Sequence, residues 1–450
     1  MANYRLRIGY SSAYQLLAEY GAYGITGNNT GLTYVSSGSE GLDAPPTTTN
    51  NVYIRSGGTG AGTSWSDARG SLPTLARDTT YWLGGGLSFG NISFTTANNG
   101  TLPVVLRKAT INSHGTDTGW VNSYATGQST FGQILVQRDY LYVYGATRNE
   151  LDWNDTSVYG IKIDNVYATT DTGVTAGNNL TVTYCDIGKA YNEAPSSGTI
   201  ATYGVPVYMA GSTTKTGWSI KRCAIHNGKG TLFQCADVEN LLVERCWIGP
   251  GWGKEAIRGQ GIWNNNTIRF NIFFNSSQFD PGDPTSGITA EIGAFSNSGG
   301  GGSYNNNTIY GNVIYSNIND GGRNSVIVVG GGPGWDGNPG NNNKVYNNTI
   351  AGMPNAAVFN MVLLNGGTGN EIRNILFYDT VDSDCSANTV SNNIKATVNP
   401  FIDYANLNFR INAGSQAQNA GVDVGTSPFD VDMDGTSREG KWSVGAFEVA

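Results

Sequence analysis

Charged residues, histidine and cysteine are scarce in this chain of 450 residues. Only 13% of the residues are charged, two are histidine and five are cysteine. The composition therefore lacks the Ala, Glu, Lys and Leu profile of helical proteins, and five cysteines do not make a disulfide scaffold. A formal net charge of −8 would repel a phosphate backbone, which argues against nucleic-acid binding.

Long apolar runs are also missing. No run approaches the roughly 18 residues needed to span a bilayer, so no membrane contact is expected. The first residues, MANYRLRIGYSSAYQLLAEY, lack the uninterrupted apolar core of a signal peptide. The sequence therefore indicates no standard secretion signal.

Glycine and aromatic residues are plentiful, and one short pattern recurs. The chain has 63 Gly, 24 Tyr and 10 Trp, as expected for an all-β protein with many turns. An apolar anchor is followed three positions later by Cys or Asn, and neighbouring anchors such as Val243 and Ile268 are about 25 residues apart. The anchors are Val182, Ile220, Val243, Ile268, Ile309, Val345 and Val390, with an incomplete copy at Ile372.

A unit of about 23–25 residues with short β segments predicts a β-solenoid with about three strands per coil. The recurring Asn is expected to take a left-handed conformation at a bend and to form a ladder of amide hydrogen bonds. Cys185, Cys223 and Cys246 occupy the same column. Adjacent coils would stand about 4.8 Å apart, which allows either buried thiols or a disulfide.

The ends of the chain differ from the repeat. Residues 1–50 are interpreted as an attachment or assembly segment, 51–135 as an N-terminal cap with the first coils, 136–400 as the coils and 401–450 as a C-terminal cap. A capping-box spacing between Ser64 and Asp67 predicts a short helix in the N-terminal cap.

The segments NNTIRFNIFFN, NNTIYGNVIYSN, YIRSGGTGAGTSWSDA and DVDMDGTSREGKWSVGAFE resemble those of the right-handed parallel β-helix, or pectate-lyase-like, superfamily. The resemblance covers about residues 51–450 and implies a single-stranded right-handed parallel β-helix with capped ends. Members of this superfamily include polysaccharide lyases, glycoside hydrolases, phage tailspikes and non-enzymatic surface proteins. Their Gly-His-Gly, Arg-x-Lys and Arg-x-x-Pro-x-x-Arg motifs are absent here, so no catalytic set carries over.

The longest inserts fall between residues 250 and 342, which makes this region the candidate functional face. Lys254, Glu255 and Arg258 lie in one predicted strand, and Glu291 lies in the corresponding strand of the next coil. Arg258 or Lys254 would serve a β-elimination lyase, as carboxylate ligand or as base. Glu255 and Glu291 would be the carboxylate pair of an inverting hydrolase. The alternative is a structural salt-bridge ladder.

Several further residues are candidate ligands. Trp252, Trp263 and Trp335 would stack on sugars or anchor loops, and Arg323 would bind substrate or form a turn with Asp320. The D-x-D-x-D-G segment predicts a Ca²⁺ loop, although Lys441 stands where an EF-hand has Glu; the alternative is an Asp-rich turn. Its three carboxylates are Asp430, Asp432 and Asp434.

Three functions are compatible with these observations. The first is a phage virion component of tailspike type, a homotrimer attached through residues 1–50, which binds or cuts a surface polysaccharide. The second is a secreted bacterial polysaccharide lyase. The third is a non-enzymatic structural or adhesive solenoid, which the missing motifs favour. The expected location is therefore a virion or the extracellular space.

Overall fold

The computed structural model describes residues 43–168, 177–188, 204–209, 213–277, 290–294, 302–317, 325–330, 338–353, 360–438 and 440–449. These residues fall into two compact units. The N-terminal unit is drawn from Arg5–Gly188 and Gly217–Ala224, and the C-terminal unit from Lys189–Thr216 and Ile225–Ala450. Within the described ranges, we find no helix with the length and apolar character to cross a membrane.

The described residues form short strands and three 3₁₀ turns. The first strands are β1 Asn50–Ile54, β2 Thr79–Leu83, β3 Ile92–Phe94, β4 Val104–Lys108, β5 Ser129–Val136, β6 Leu141–Tyr144, β7 Ile161–Ala168, β8 Thr181–Thr183, β9 Cys185–Ile187, β10 Val207–Met209, β11 Lys215–Thr216 and β12 Ser219–Lys221. The next are β13 Ala224–Ile225, β14 Lys229–Glu239, β15 Leu242–Glu244, β16 Trp247–Ile248, β17 Trp252–Asn264, β18 Thr267–Arg269, β19 Ile272–Phe274, β20 Ala290–Ala294, β21 Thr308–Tyr310, β22 Val313–Tyr315 and β23 Ile327–Val329. The last are β24 Lys344–Tyr346, β25 Thr349–Ala351, β26 Val362–Leu364, β27 Glu371–Arg373, β28 Leu376–Tyr378, β29 Cys385–Ser386, β30 Thr389–Ser391, β31 Ile394–Lys395, β32 Phe401–Asp403 and β33 Asn408–Ile411. The 3₁₀ turns are Asn122–Ala125, Thr156–Val158 and Tyr404–Asn406.

The C-terminal unit is a stack of parallel coils, each with one strand on each of three faces. The A face is β15-β18-β21-β24-β27-β30, the B face is β16-β19-β22-β25-β28-β31, and the C face is β14-β17-β20-β23-β26-β29. Each strand pairs in parallel with the equivalent strand of the next coil, as in β18 with β21 and β21 with β24. The predicted solenoid with three strands per coil is confirmed.

The apolar anchors of the sequence repeat are the core of the A face. Val243 pairs with Ile268, and Ile309 pairs with Val345, so the sequence alignment gave the true register. These anchors are at most 1% exposed. Their burial, at about 1.5–3 kcal/mol each, is the main local stabilisation of the stack. Val390 in the last coil is 44% exposed, since no further described coil covers it.

Buried asparagines form the predicted ladder along the C-terminal unit. The backbone N–H of Asn271 donates to Oδ1 of Asn312 at 2.9 Å, and that of Asn312 donates to Oδ1 of Asn348 at 3.0 Å. The side-chain Nδ2 groups repeat these contacts at 3.0 and 2.9 Å. Cys246 stands at the head of this column, where its N–H donates to Oδ1 of Asn271.

The left-handed residue of each bend is not the ladder asparagine, which corrects the sequence-based expectation. It is the preceding residue: Arg245, Phe270 and Asn347 have φ values of 52°, 56° and 53°. A left-handed residue turns the chain by itself, so the residue after it can direct its amide into the core. Arg and Phe accept a conformation that costs about 1–2 kcal/mol. Arg245 also lies over the ring of Phe270, 5.2 Å from its centroid.

A second ladder runs along the other end of the A strands, where the Asn triplets of the repeat lie. Oδ1 of Asn266 accepts from the N–H of Leu241 at 2.8 Å. The N–H of Asn266 donates to Oδ1 of Asn307, and that of Asn307 donates to Oδ1 of Asn343, both at 3.0 Å. Asn343 donates to Asn370 at 2.9 Å. These four side chains are at most 1% exposed. The triplets therefore supply buried hydrogen-bond ladders, which explains why asparagine recurs beside strand residues.

The N-terminal unit is also built from parallel strands of successive coils. Its A strands β1, β2, β4, β6, β8 and β12 pair in parallel. Val182 pairs with Ile220, as the repeat predicted. Cys185 and Cys223 follow these anchors, and each thiol donates to the carbonyl two residues earlier. All five cysteines lie in described ranges and are thiols, so the alternative of a disulfide is wrong.

No helix forms near Ser64, contrary to the sequence prediction. Asp67 instead accepts from the backbone N–H groups of Ala61 and Thr63, which closes a tight loop. Trp65 is fully buried, and its indole N–H donates to the carbonyl of His114 at 2.8 Å. The buried ring packs with Tyr53 and Trp82 in one apolar cluster, which holds this segment against the first coils.

The C-terminal residues of the chain pack along the sides of the coils. The antiparallel pair β32–β33 contacts the B face, where Phe409 lies 5.5 Å from the ring of Tyr315. Further on, Phe429 lies edge-on against Tyr310 and Tyr346 of the A face. The predicted cap thus covers two outer faces, whereas the last coil leaves Val390 exposed.

Lys108 in the N-terminal unit gives a pH-dependent prediction. It is 2% exposed, and its Nζ donates to the carbonyls of Ala109 and Ala125 at 2.9 and 2.8 Å. Burial lowers the pKa of Lys108 to about 8 from 10.5. Between these pH values the unfolded chain binds the proton and the folded chain does not. The free energy of unfolding should therefore rise with pH, by up to about 3 kcal/mol.

Urea unfolding of the parent and of Lys108→Met from pH 7.5 to 10.5 measures this contribution. The difference in unfolding free energy, parent minus variant, should become more positive with rising pH. Lys162→Met, at a lysine that is 33% exposed, is the control and should give a difference that does not change. A flat difference for Lys108→Met would contradict the assignment.

Candidate functional site

Arg258 occupies the outer side of the C face. In the strand register Gln234 pairs with Arg258 and Arg258 pairs with Gly293, while Tyr208 pairs with Gln234 in the preceding coil. The alternate residues of these strands, such as Phe233 and Ile257, point into the core. The row Tyr208–Gln234–Arg258 is therefore a polar stripe across three successive coils.

The guanidinium of Arg258 is the cation of this stripe. Its side chain is 20% exposed, and Nη1 lies 4.0 Å from Oε2 of Glu255. The buried Nε has no hydrogen-bond partner among the described residues. A planar guanidinium with donors still available is suited to a two-point contact with a carboxylate.

Two buried carboxylates lie on the neighbouring strands β17 and β20, and that of Glu255 is the one near Arg258. Glu255 and Glu291 are each 1% exposed. Oε2 of Glu291 accepts a hydrogen bond of 2.5 Å from Oγ of Ser276. Glu255 pairs with Ala290 in the register, so the two carboxylates are one residue out of step and are not directly opposite each other. Adjacent positions of a regular strand point to opposite sides, which disfavours a facing pair.

The structure describes only some of the other residues predicted for this site. The side chains of Trp252 and Lys254 lie outside the described part of the chain, although both residues belong to β17. Arg323 and Trp335 also lie outside the described residues. Trp263 is fully buried, so it fits the predicted anchoring role and does not offer a ring face to a sugar.

The Asp-rich segment near the C-terminus is a turn. Oδ1 of Asp432 accepts from the backbone N–H groups of Asp434 and Thr436, at 2.8 and 2.7 Å. Both carboxylate oxygens of Asp434 accept hydrogen bonds from Arg410. Among the described residues, no group of three His, Cys, Asp or Glu side chains is placed to hold a metal. Protein donors contact these oxygens, as expected for the Asp-rich turn, and the Ca²⁺ loop stays a prediction.

The N-terminal unit contains a cavity that the sequence analysis missed. It has a volume of about 190 Å³ and lies against the outer side of β6, β8 and β12. Its lining includes Tyr142 and Tyr144, Thr183, Lys221 and Asp43. The alternating motifs Tyr-Val-Tyr and Thr-Val-Thr place these side chains on one side of adjacent strands. That alternation was the available signal, but it is also an ordinary pattern for a solvated strand.

A comparison with solved structures supports the fold. The crystal structure of pectate lyase Pel9A matches with a TM-score of 0.50 at 14% sequence identity, over 90% of this chain and 97% of that chain. No family model matches the sequence, and no curated protein does. At this identity the likeness concerns the fold alone. It agrees with the parallel coils of each unit. The chain is a right-handed parallel β-helix with the pectate-lyase-like fold.

Proposed function

We propose that the protein binds an acidic polysaccharide across the C face, with Arg258 contacting the carboxylate of a uronate unit. The observation that carries this proposal is the Arg258 guanidinium, which is partly exposed and whose Nε has no partner among the described residues. Gln234 lies beside it and offers an amide to neighbouring hydroxyl groups. Extended polymers fit a stripe that crosses several coils.

The chemistry that this arrangement supports best is β-elimination. A base removes the C5 proton of the uronate, and the electron pair forms the C4–C5 double bond. The C4–O bond breaks, and the departing oxygen takes up a proton. Arg258 would stabilise the negative charge that develops on the carboxylate next to C5, and Lys254 is the proposed base. The staggered register of Glu255 and Glu291 is less suited to the inverting-hydrolase alternative.

Arg258→Met tests this proposal. We expect at least about tenfold weaker binding to polygalacturonate, alginate or hyaluronate, because a charge-assisted hydrogen bond contributes about 1.5–3 kcal/mol. Arg373→Met is the matched control: Arg373 is on the A face, bonded to Glu371 at 2.8 Å, and its loss should leave binding unchanged. Equal binding by both variants and the parent would overturn the assignment of Arg258.

The same samples separate cleavage from binding. A rise in ultraviolet absorbance from unsaturated uronate would establish a lyase, and Arg258→Met should abolish it. Binding without this product would assign a binding protein instead. That result would favour the non-enzymatic alternative.

We further propose that the polysaccharide belongs to a bacterial surface and that the protein is a tailspike-like component of a phage particle. Support comes from residues 1–50, whose Tyr- and Gly-rich composition differs from that of the repeat and suits an attachment segment. Low charge with many Asn, Thr and Ser suits lateral packing of β-helices, and tailspike-like proteins are commonly trimers. Light scattering on the samples used for binding should then give three times the chain mass.

A further inference from the structure

We infer that the cavity on the A face of the N-terminal unit is a second carbohydrate site, which takes one neutral sugar ring of hexose size. It is separate from the Arg258 stripe and does not depend on the proposed function. Its volume of about 190 Å³ is far larger than the 10–15 Å³ that a single water needs by this measure. It is below the 300–1,000 Å³ of pockets for drug-sized ligands, so a single small ring fits best.

An orphaned hydroxyl in the lining points to a ligand. Thr183 lines the cavity and is 1% exposed, and its Oγ1 has no hydrogen-bond partner among the described residues. A buried hydroxyl without a partner costs about 1–3 kcal/mol. Native proteins rarely keep such a group unless something else satisfies it. A sugar hydroxyl in the cavity would do so.

The charges in the lining favour a neutral ligand. Nζ of Lys221 lies 3.0 Å from Oδ1 of Asp43, and Nε of Arg222 lies 2.8 Å from Oδ2 of the same carboxylate. The adjacent basic groups hold the pKa of Asp43 below its usual value despite the opposing effect of burial. The cavity therefore contains an internally paired cation and anion rather than a lone charge. An anionic uronate would find no unpaired cation there.

The remaining walls match the two kinds of surface that a sugar ring presents. Tyr142 and Tyr144 supply aromatic rings for the apolar C–H side. Thr181 and Thr183 supply hydroxyls, and the ends of the Asp43–Lys221 pair supply one acceptor and one donor. Ala44 and Pro45 complete the lining.

Thr183→Val is the decisive variant, because it keeps the shape of the side chain and removes only the hydroxyl. Saturation-transfer NMR of the full chain with glucose, galactose, mannose and N-acetylglucosamine should show binding of at least one of them. Thr183→Val should weaken that binding about fivefold, the loss of one neutral hydrogen bond. The corresponding disaccharides are tested in the same way. Tighter binding of a disaccharide than of its monosaccharide would indicate that the cavity holds one ring of a longer chain, and equal binding would indicate a single ring.

Two controls keep the result interpretable. Arg258→Met should bind the hexose as the parent does, so failure of the Arg258 proposal and failure of this one are distinguishable. Thr183→Val should fold at least as stably as the parent, since it removes an unsatisfied buried hydroxyl. The inference is overturned if none of the four sugars binds at millimolar concentration, or if Thr183→Val leaves the affinity unchanged.

Discussion

Replacing Asn312 with leucine should lower the free energy of unfolding of the C-terminal unit by about 4 kcal/mol or more. Asn312 has no exposed surface. Its Nδ2 donates to the carbonyl of Ile268 and to Oδ1 of Asn348, and its Oδ1 accepts from the N–H and Nδ2 of Asn271. Leucine keeps the volume but removes all four of these hydrogen bonds. The N–H of Asn271 loses its acceptor, at about 1–3 kcal/mol, whereas Oδ1 of Asn348 keeps the backbone N–H of residue 312 and Nδ2 of Asn271 keeps the carbonyl of Val243. The other three lost bonds cost about 1 kcal/mol each.

Asn341→Ala is the matched comparison in the next coil. Asn341 belongs to an outer, partly buried row, in which its Nδ2 donates to Oδ1 of Asn305 at 3.0 Å. Water can replace that contact, so we expect a loss of about 1 kcal/mol. Urea unfolding followed by circular dichroism measures both variants. If the two losses were equal, burial of the ladder would not be the source of its stability.

Arg438→Met should destabilise the C-terminal unit by about 3–5 kcal/mol. Arg438 and Glu448 are 1% and 6% exposed and form an ion pair within the C-terminal segment. Nη1 of Arg438 also donates to the carbonyl of Ser443 at 3.2 Å, and Nη2 to that of Gly445 at 3.0 Å. Methionine fills most of the space but leaves the Glu448 carboxylate buried without its cation. Removing one partner of a buried pair is therefore expensive.

The double variant Arg438→Met with Glu448→Gln separates charge burial from packing. It should recover part of the loss, because the neutral amide no longer requires a cation. Thermal unfolding at pH 7 gives the comparison. Arg373→Met, at a partly exposed ion pair, is the control and should cost no more than about 1 kcal/mol. An Arg438→Met protein as stable as this control would show that the buried pair is dispensable.

The repeat predicted the fold well because one column sets the register. Val243, Ile268 and Ile309 are the residues that the sequence pattern aligned, and they are the ones that pair in the A face. A buried apolar column must recur once per coil, so its spacing is visible in the sequence. The backbone conformation of the bend is not visible in this way. Phe270 is left-handed because the turn requires it, although its side chain gives no sign of this.

The candidate site was less predictable because it depends on contacts between coils. The sequence placed Arg258 and Glu255 in one strand, and the structure has them 4.0 Å apart. It could not show that Glu255 would face Ala290 instead of Glu291, since a shift of one residue changes the side of the sheet. Burial of Trp263 likewise depends on the packing of neighbouring coils.

Each rung of the asparagine ladder joins only two adjacent coils, so the chain between rungs can have almost any length. The bonded residues Cys246, Asn271, Asn312 and Asn348 are separated by 25, 41 and 36 positions, yet the N–H to Oδ1 distances remain 2.9–3.0 Å. Exterior segments can therefore be exchanged while the scaffold is kept. New specificities would arise by swapping such segments, and foreign peptides could be displayed at the same places.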